Sequence, residues 1–169
     1  MSAAAAAPID TASKLYWGPR LWKMLHMLAE ISDRRDMIHL WNNLMSMTAH
    51  VMPCEQCRAH LGGFMKTHNF VKFAKPHLVT GEMLKLKVRT ELFNLHNEVN
   101  ARLGKPIFAA DHSATSISRD LAFAEVGRLY EEIRAAWDPL IHSRIHGPSY
   151  TNWKKHLNMM IALASGGPS

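Results

Sequence analysis

The sequence predicts an all-α protein made of successive helices. Apolar residues recur at three- and four-residue spacing in one stretch after another, which is the period of an amphipathic helix. Proline, glycine and capping residues stand where these stretches begin and end. No segment of alternating polar and apolar residues competes as a strand. We therefore expect six helices and no sheet.

The first two helices are predicted by apolar stripes on either side of a short polar stretch. Pro19 suits the first turn of a helix, and we expect the first helix over residues 19 to 31. Asp36 suits the N-cap of the second helix, which should end near His50, before Pro53.

The third and fourth helices have clearer starting points. Proline is favoured in the first turn of a helix and disfavoured inside one, so Pro53 should start the third helix, which Gly62 and Gly63 should loosen towards its end. Thr80 can cap the fourth helix and Gly104 can stop it. The fourth helix carries one apolar stripe formed by Leu84, Val88, Leu92, Leu95, Val99 and Leu103.

Two further helices follow a loop at residues 109 to 116. The fifth pattern runs from Ile117 to Ile133 and ends at Asp138 and Pro139, and the sixth covers residues 151 to 164. The expected organisation is a flexible tail, a core and an accessory helical segment over residues 1–13, 14–110 and 111–169.

Composition restricts the class of protein. The chain has 169 residues, of which 47% are apolar and 20% charged, as in one soluble globular domain. Residues 1 to 7 lack the features of a secretory signal, and no apolar run reaches the roughly 18 residues of a membrane span. The net charge of +6 favours anionic partners. No stripe of Lys and Arg with interleaved aromatics supports a nucleic-acid module, so we expect no nucleic-acid partner.

The only two cysteines, Cys54 and Cys57, are the first candidate for chemistry. Residues three apart on a helix lie close enough to form a disulfide after a small adjustment. The helix N-terminus stabilises a thiolate, and Arg58 adds a nearby positive charge. A pair this close cannot link distant parts of a fold, which favours a redox role.

Three other interpretations of the pair are weaker. The cysteines could be small buried hydrophobic residues. A zinc site with His60 and His68 lacks zinc-finger spacing, and we predict no metal. A thioredoxin-like site would follow a buried strand, whereas the preceding residues have a helical pattern.

A second group of residues suits a flat polar ligand. On the fourth helix, His96 and Asn100 lie one turn apart on one face, with Lys105 just beyond the helix end. On the first helix, Trp22 and His26 have the same spacing. Each pair taken alone is more typical of packing or of a surface histidine, and their combination is what points to a ligand.

Together these motifs resemble the Erv/ALR sulfhydryl oxidase family in order and spacing. The matching segments are Trp17-Gly18-Pro19-Arg20-Leu21-Trp22 with Leu25-His26, Pro53-Cys54-Glu55-Gln56-Cys57, and His96-Asn97-Glu98-Val99-Asn100 with Leu103-Gly104-Lys105-Pro106. The resemblance implies a four-helix bundle with a short fifth helix and bound FAD, here followed by extra C-terminal helices. It covers residues 17 to 110.

The resemblance also implies the role of each site residue. Cys57 would lie against the isoalloxazine ring of FAD, and Cys54 would exchange with the thiols of protein substrates. The electrons would pass to oxygen and give hydrogen peroxide. The residues implied to contact FAD are Gly18, Trp22, His26, His96, Asn97, Val99, Asn100 and Lys105.

The sequence departs from the family pattern at several positions. A further family disulfide would join positions that are Phe93 and Ala110 here, and packing of the phenylalanine could compensate. Met52 replaces a common tyrosine, and no tryptophan follows Ala110 closely, so Trp137 or Phe123 could cover the adenine instead. The aromatic residues of the C-terminal segment are otherwise expected to pack.

These features lead to one main hypothesis and one rival. The main hypothesis is an FAD-dependent thiol oxidase, which the family resemblance implies to be a homodimer. Its substrate, or a separate thiol carrier protein, reaches Cys54 directly, because the chain has no second cysteine pair. This minimal arrangement is most like the oxidases of large DNA viruses. It suggests the host cytoplasm or the virion, with the mitochondrial intermembrane space as alternative. The rival is a redox-inactive virion assembly protein that retains the fold.

Overall fold

The computed structural model describes residues 9–68, 70–109, 117–141 and 147–166. These residues contain helices and no strand, which confirms the all-α prediction. Two 3₁₀ turns, Arg35–Met37 and Pro76–Leu78, precede the second and fourth helices. The six α-helices are α1 (Lys14–Glu30), α2 (Ile38–Val51), α3 (Glu55–Thr67), α4 (Gly81–Arg102), α5 (Arg119–Ile141) and α6 (Gly147–Ser165).

The predicted starts of the first two helices were wrong. Helix α1 begins at Lys14 because the Ser13 hydroxyl accepts the Leu15 N–H at 3.2 Å, and Pro19 therefore lies inside the helix. Pro19 lacks the N–H that would bond to the Leu15 carbonyl, but Leu15 is 83% exposed, so water can replace that bond. Asp36 lies in the 3₁₀ turn, where its carboxylate accepts two hydrogen bonds from Arg34 instead of capping α2.

The starts of α3 and α4 were predicted correctly. Pro53 precedes α3, whose N-cap is Cys54, and Thr80 caps α4 by accepting the Met83 N–H at 3.2 Å. The two consecutive glycines, Gly62 and Gly63, do not loosen α3, which continues regularly to Thr67.

The C-terminal helices extend beyond their predicted limits. Pro139 lies inside α5, which has 23 residues. The helix that follows α4 among the described residues is therefore long. The predicted short fifth helix is not found among them, and residues 110–116 lie outside the described part of the chain, as do residues 1–8 of the predicted tail.

The six helices share one hydrophobic core. Helix α1 packs against α4 and α5, α2 packs against α3 and α6, and α5 contacts α6. The buried indole N–H of Trp153 donates to the buried hydroxyl of Thr48 at 2.9 Å, which links α6 to α2. None of the described helices has the length and hydrophobicity to cross a bilayer. The proposed division at residue 110 stays a prediction, although the core is continuous across it.

Candidate functional site

Cys54 and Cys57 form a disulfide at the N-terminus of α3, with their Cα atoms 5.2 Å apart. Both are half-buried and pack against the core. The Cys57 N–H points at the Cys54 sulfur, 3.2 Å away, as in an N-cap hydrogen bond. Arg58 is held beside the pair by a 2.5 Å hydrogen bond from its guanidinium to the Met52 carbonyl.

A cavity of about 610 Å³ lies between α1, α3 and α4, and Cys57 is part of its wall. Cofactor and ligand sites usually measure about 300–1,000 Å³, so the cavity can hold a large organic ligand. The apolar stripe of α4 explains the position of the cavity. Leu84, Val88 and Leu92 are buried in the core, whereas the last three residues of the stripe line the cavity: Leu95, Val99 and Leu103. The predicted contact residues that line it are Gly18, Trp22, His26, His96, Val99, Asn100 and Lys105.

Aromatic rings from α1 and α4 stack face to face in the lining of this cavity. The indole of Trp22 and the imidazole of His96 are parallel within 4°, with centroids 4.2 Å apart. His26 lies at a centroid distance of 5.7 Å from His96. Such stacked planes suit a planar aromatic ligand. The structure thus brings together two residue pairs that lie about 70 positions apart in the sequence.

Asn97 is the predicted contact residue that does not line the cavity. Its side-chain amide donates to the Phe108 carbonyl and accepts the Phe108 N–H, both at 3.0 Å. These two bonds fasten the segment after α4 to the helix and place Phe108 edge-on to His96, at 5.7 Å. Asn97 is therefore in a position to act indirectly, by placing Phe108 in the cavity wall.

The aromatic residues expected to replace the missing tryptophan lie elsewhere. Trp137 is fully buried in the core, where it meets Trp17 edge-on at 5.4 Å, and Phe123 packs against the core without lining the cavity. Among the described residues that follow α4, the aromatic residue that lines the cavity is Phe108, two residues after Pro106. Phe108 lies three residues after Lys105, and this closeness to a predicted contact residue could have identified it from the sequence. Phe93, at the position of a family cysteine, also lines the cavity, and Ala110 lies outside the described residues.

The end of α4 supplies positive charge to the cavity. Gly104 has a φ of 64°, the left-handed conformation that favours glycine, and the chain reverses there. The Gly104 N–H bonds to the Ala101 carbonyl and the Lys105 N–H to the Asn100 carbonyl, which is the Schellman arrangement. This reversal brings Lys105 back to the cavity wall, where cations can neutralise a phosphate.

Arg102 and His60 form a bridge across the cavity that the sequence did not reveal. The guanidinium of Arg102 on α4 donates to Nε2 of His60 on α3, at 2.8 Å. Nδ1 of His60 lies 2.6 Å from the Gln56 carbonyl and can donate to it. Both residues line the cavity, and arginine suits bidentate binding of phosphate.

The histidines near the cysteines are engaged in other contacts. His68 stacks on Phe64, with ring centroids 4.3 Å apart, while His60 contacts Arg102. Within the part of the chain that the structure describes, no three His, Cys, Asp or Glu side chains are grouped to hold a metal ion.

The environment of His96 predicts a pH dependence of stability. Burial, and secondarily the charge of Lys105, lower the pKa of His96 below its ordinary value of 6.5. The unfolded chain therefore binds this proton more readily than the folded chain. The contribution of His96 to the free energy of unfolding is constant well above pH 6.5 and decreases as the pH falls from 6.5 through the lowered pKa.

An NMR titration of the His96 ring, assigned with a His96→Phe variant, should give a midpoint below the ordinary value. Lys105→Gln should raise that midpoint. A midpoint in the unchanged protein at or above the ordinary value would contradict the buried position of the ring.

Comparisons with known proteins agree with this geometry. The model of the Erv1/Alr family matches residues 19–119. The chain is also 26% identical over 94 residues to 347L of Invertebrate iridescent virus 6, which is named for an inferred FAD-linked sulfhydryl oxidase activity. That match covers 54% of this chain and 82% of the viral protein. No solved structure matches significantly. The family match covers more than half of the chain and confirms the predicted resemblance: this protein belongs to the Erv1/Alr family.

Proposed function

We propose that this protein is an FAD-dependent thiol oxidase that forms disulfides in other proteins through Cys54 and Cys57. The observation that carries the proposal is the place of the disulfide, which forms part of the wall of a large cavity lined by stacked aromatic rings and by cations. The name of the viral relative supports the same activity. Oxygen as the final acceptor, with hydrogen peroxide as product, completes the proposed reaction.

The donor set of the cavity fits FAD. Asn100 is buried and lines the cavity, and its amide makes no hydrogen bond to the described residues, so a bound ligand can satisfy it. A Cβ added at Gly18 would meet only the Lys14 side chain, at 3.8 Å, which leaves the backbone open to a ligand. Lys105 and Arg102 can bind the diphosphate, while Trp22 and His96 provide a flat surface. Bound FAD supplies a two-electron acceptor for the thiols.

The cysteines perform the exchange with substrate. A substrate thiolate attacks the Cys54 sulfur, the disulfide breaks, and Cys57 leaves as a thiolate in the first turn of α3. The second substrate thiolate then attacks the substrate sulfur of the mixed disulfide and releases Cys54. The Cys57 N–H and the N-terminus of α3 stabilise the Cys54 thiolate. The substrate gains a disulfide, and its two electrons reduce the Cys54–Cys57 pair. The two thiol protons go to the reduced pair or to the solvent.

The partners and the setting of the reaction are further parts of the proposal. The chain has no second cysteine pair, so a protein dithiol or a thiol carrier protein must reach Cys54 itself. We propose a homodimer that works in an infected cell, in the host cytoplasm or the virion, as suggested by the viral relative. The mitochondrial intermembrane space is the alternative compartment.

Loss of the Trp22 ring should weaken FAD binding. An aromatic pair contributes about 0.5–1.5 kcal/mol beyond the area that it buries, so Trp22→Ala should raise the Kd for FAD by at least about two- to tenfold. Phe123→Ala is the matched control, because Phe123 is a partly buried aromatic residue outside the cavity. Equal FAD affinity in both variants, measured by fluorescence quenching, would argue against the cavity as the binding site.

A purified sample tests the proposed activity. The protein should be yellow, show flavin absorbance, consume oxygen with dithiothreitol and release peroxide in equal amount. A colourless protein that consumes no oxygen after incubation with FAD would support the rival hypothesis of a virion assembly protein.

A further inference from the structure

A second, smaller cleft lies on the other side of the disulfide. It measures about 210 Å³, and its wall contains Cys54 but not Cys57. Trp17 and Lys14 line both the cleft and the large cavity, whereas Cys54 lines the cleft and Cys57 the cavity. A molecule that attacks Cys54 from this cleft does not need to enter the large cavity.

The cleft is built from three parts of the chain. Ala12 precedes α1 and Lys14 is its first residue. Pro53 precedes α3, and Leu140 lies in the last turn of α5. Leu140 lies beyond residues 19–119, which match the family model. The C-terminal helices of this protein therefore contribute one wall of the path to Cys54.

We propose that this cleft binds the cysteine-bearing segment of the substrate in an extended conformation, with α5 selecting the residue next to the cysteine. This inference rests on the proposed function. At about 210 Å³ the cleft is smaller than the roughly 300–1,000 Å³ of sites that hold a whole organic ligand, so it is of the size of one or two side chains. The cleft thus admits a cysteine and one neighbouring side chain of an extended segment.

The lining of the cleft indicates the chemistry of that segment. Pro53 and Leu140, which are partly exposed, offer apolar surface to a residue next to the cysteine. Lys14 is exposed to solvent and forms no ion pair with the described residues. We therefore expect the preferred segment to carry an apolar residue beside the cysteine and an acidic residue near it.

A thiol-exchange assay tests this selectivity without flavin or oxygen. In a Cys57→Ser background, Cys54 attacks a peptide cysteine that is activated as a mixed disulfide with thionitrobenzoate. The peptide becomes bonded to Cys54, and one coloured thionitrobenzoate anion leaves. Mercaptoethanol activated in the same way serves as the small, neutral reference reagent. The measured quantity is the rate with a Leu-Cys-Glu peptide divided by the rate with the reference.

Leu140→Ser should lower this ratio about tenfold, and Leu140→Met should largely restore it. Lys14→Glu, at an exposed position that does not endanger folding, should shift the preference from Leu-Cys-Glu to Leu-Cys-Lys. The matched control is Leu121→Ser, which changes an exposed leucine at the other end of α5 and should preserve the ratio.

Three results would overturn the inference. The first is a rate ratio that neither Leu140→Ser nor Lys14→Glu changes. The second is a rate ratio that falls as much with Leu121→Ser as with Leu140→Ser. A tenfold gain in peptide exchange on removal of residues 1–8 would instead assign the cleft to the chain's own first residues. A protein that binds no flavin would refute the proposed oxidase while leaving these exchange ratios as they are, so the two failures are distinguishable.

Discussion

Cys57→Ser should reduce thiol-dependent oxygen consumption by at least about a thousandfold, to the level of free flavin. Cys54 can still form a mixed disulfide with substrate, but no second sulfur in the chain can take up the electrons. The measurement is oxygen uptake with dithiothreitol at matched flavin content. Of the two disulfide residues, Cys57 is the one that lines the large cavity, so this variant removes the disulfide sulfur that faces the proposed flavin site.

The variant should remain folded, which makes the loss of turnover interpretable. The disulfide joins residues only three positions apart, and closing so short a loop contributes about 2 kcal/mol or less to stability. Glu55→Ser is the matched control, because Glu55 lies between the two cysteines but lines neither the cavity nor the cleft. Its turnover should stay within about twofold of that of the unchanged protein. Substantial turnover by Cys57→Ser would show that thiols reduce the cofactor without the disulfide.

Gly81→Ala should lower the free energy of unfolding by about 3 kcal/mol. A Cβ at this position would lie 1.7 Å from the backbone oxygen of Asp33 and 2.3 Å from its carbonyl carbon. The backbone at Asp33 cannot easily move, because the residue is 7% exposed and its carboxylate is bound by Arg119. Denaturant unfolding of the two proteins measures the difference.

Gly127→Ala is the matched control for this substitution. Gly127 also lies in a helix, but a Cβ there would have no atom within 4 Å. Alanine has the higher helix propensity, so this variant should gain about 0.5–1 kcal/mol of stability. No loss at Gly81 would mean that the contact between α4 and Asp33 is not formed as described. An equal loss at Gly127 would mean that the loss at Gly81 is not due to that contact.

The sequence predicted features that local chemistry determines. Thr80 and Gly104 mark the ends of α4 through a side-chain cap and a positive φ, and both depend only on neighbouring residues. The start of α1 was missed because Pro19 is a stronger local signal than Ser13, and the exposure of Leu15 that lets a proline remain inside the helix is a tertiary property.

The candidate site was predictable only in part, for a related reason. The pairs of α1 and α4 could be recognised because one-turn spacing places residues on one face. Arg102, His60 and Leu140 could not be assigned, since their roles depend on how α3, α4 and α5 approach one another. Asn97 was expected to contact the ligand, whereas both groups of its amide are occupied by Phe108.

We propose that electrons pass from substrate thiols through Cys54 and Cys57 to FAD in the adjacent cavity. Anaerobic mixing of the flavin-loaded protein with dithiothreitol tests it most directly, with flavin absorbance followed over time. The yellow colour should bleach in the unchanged protein and persist in both Cys54→Ser and Cys57→Ser. Equal bleaching in all three proteins, or a purified chain that cannot be loaded with flavin, would contradict it.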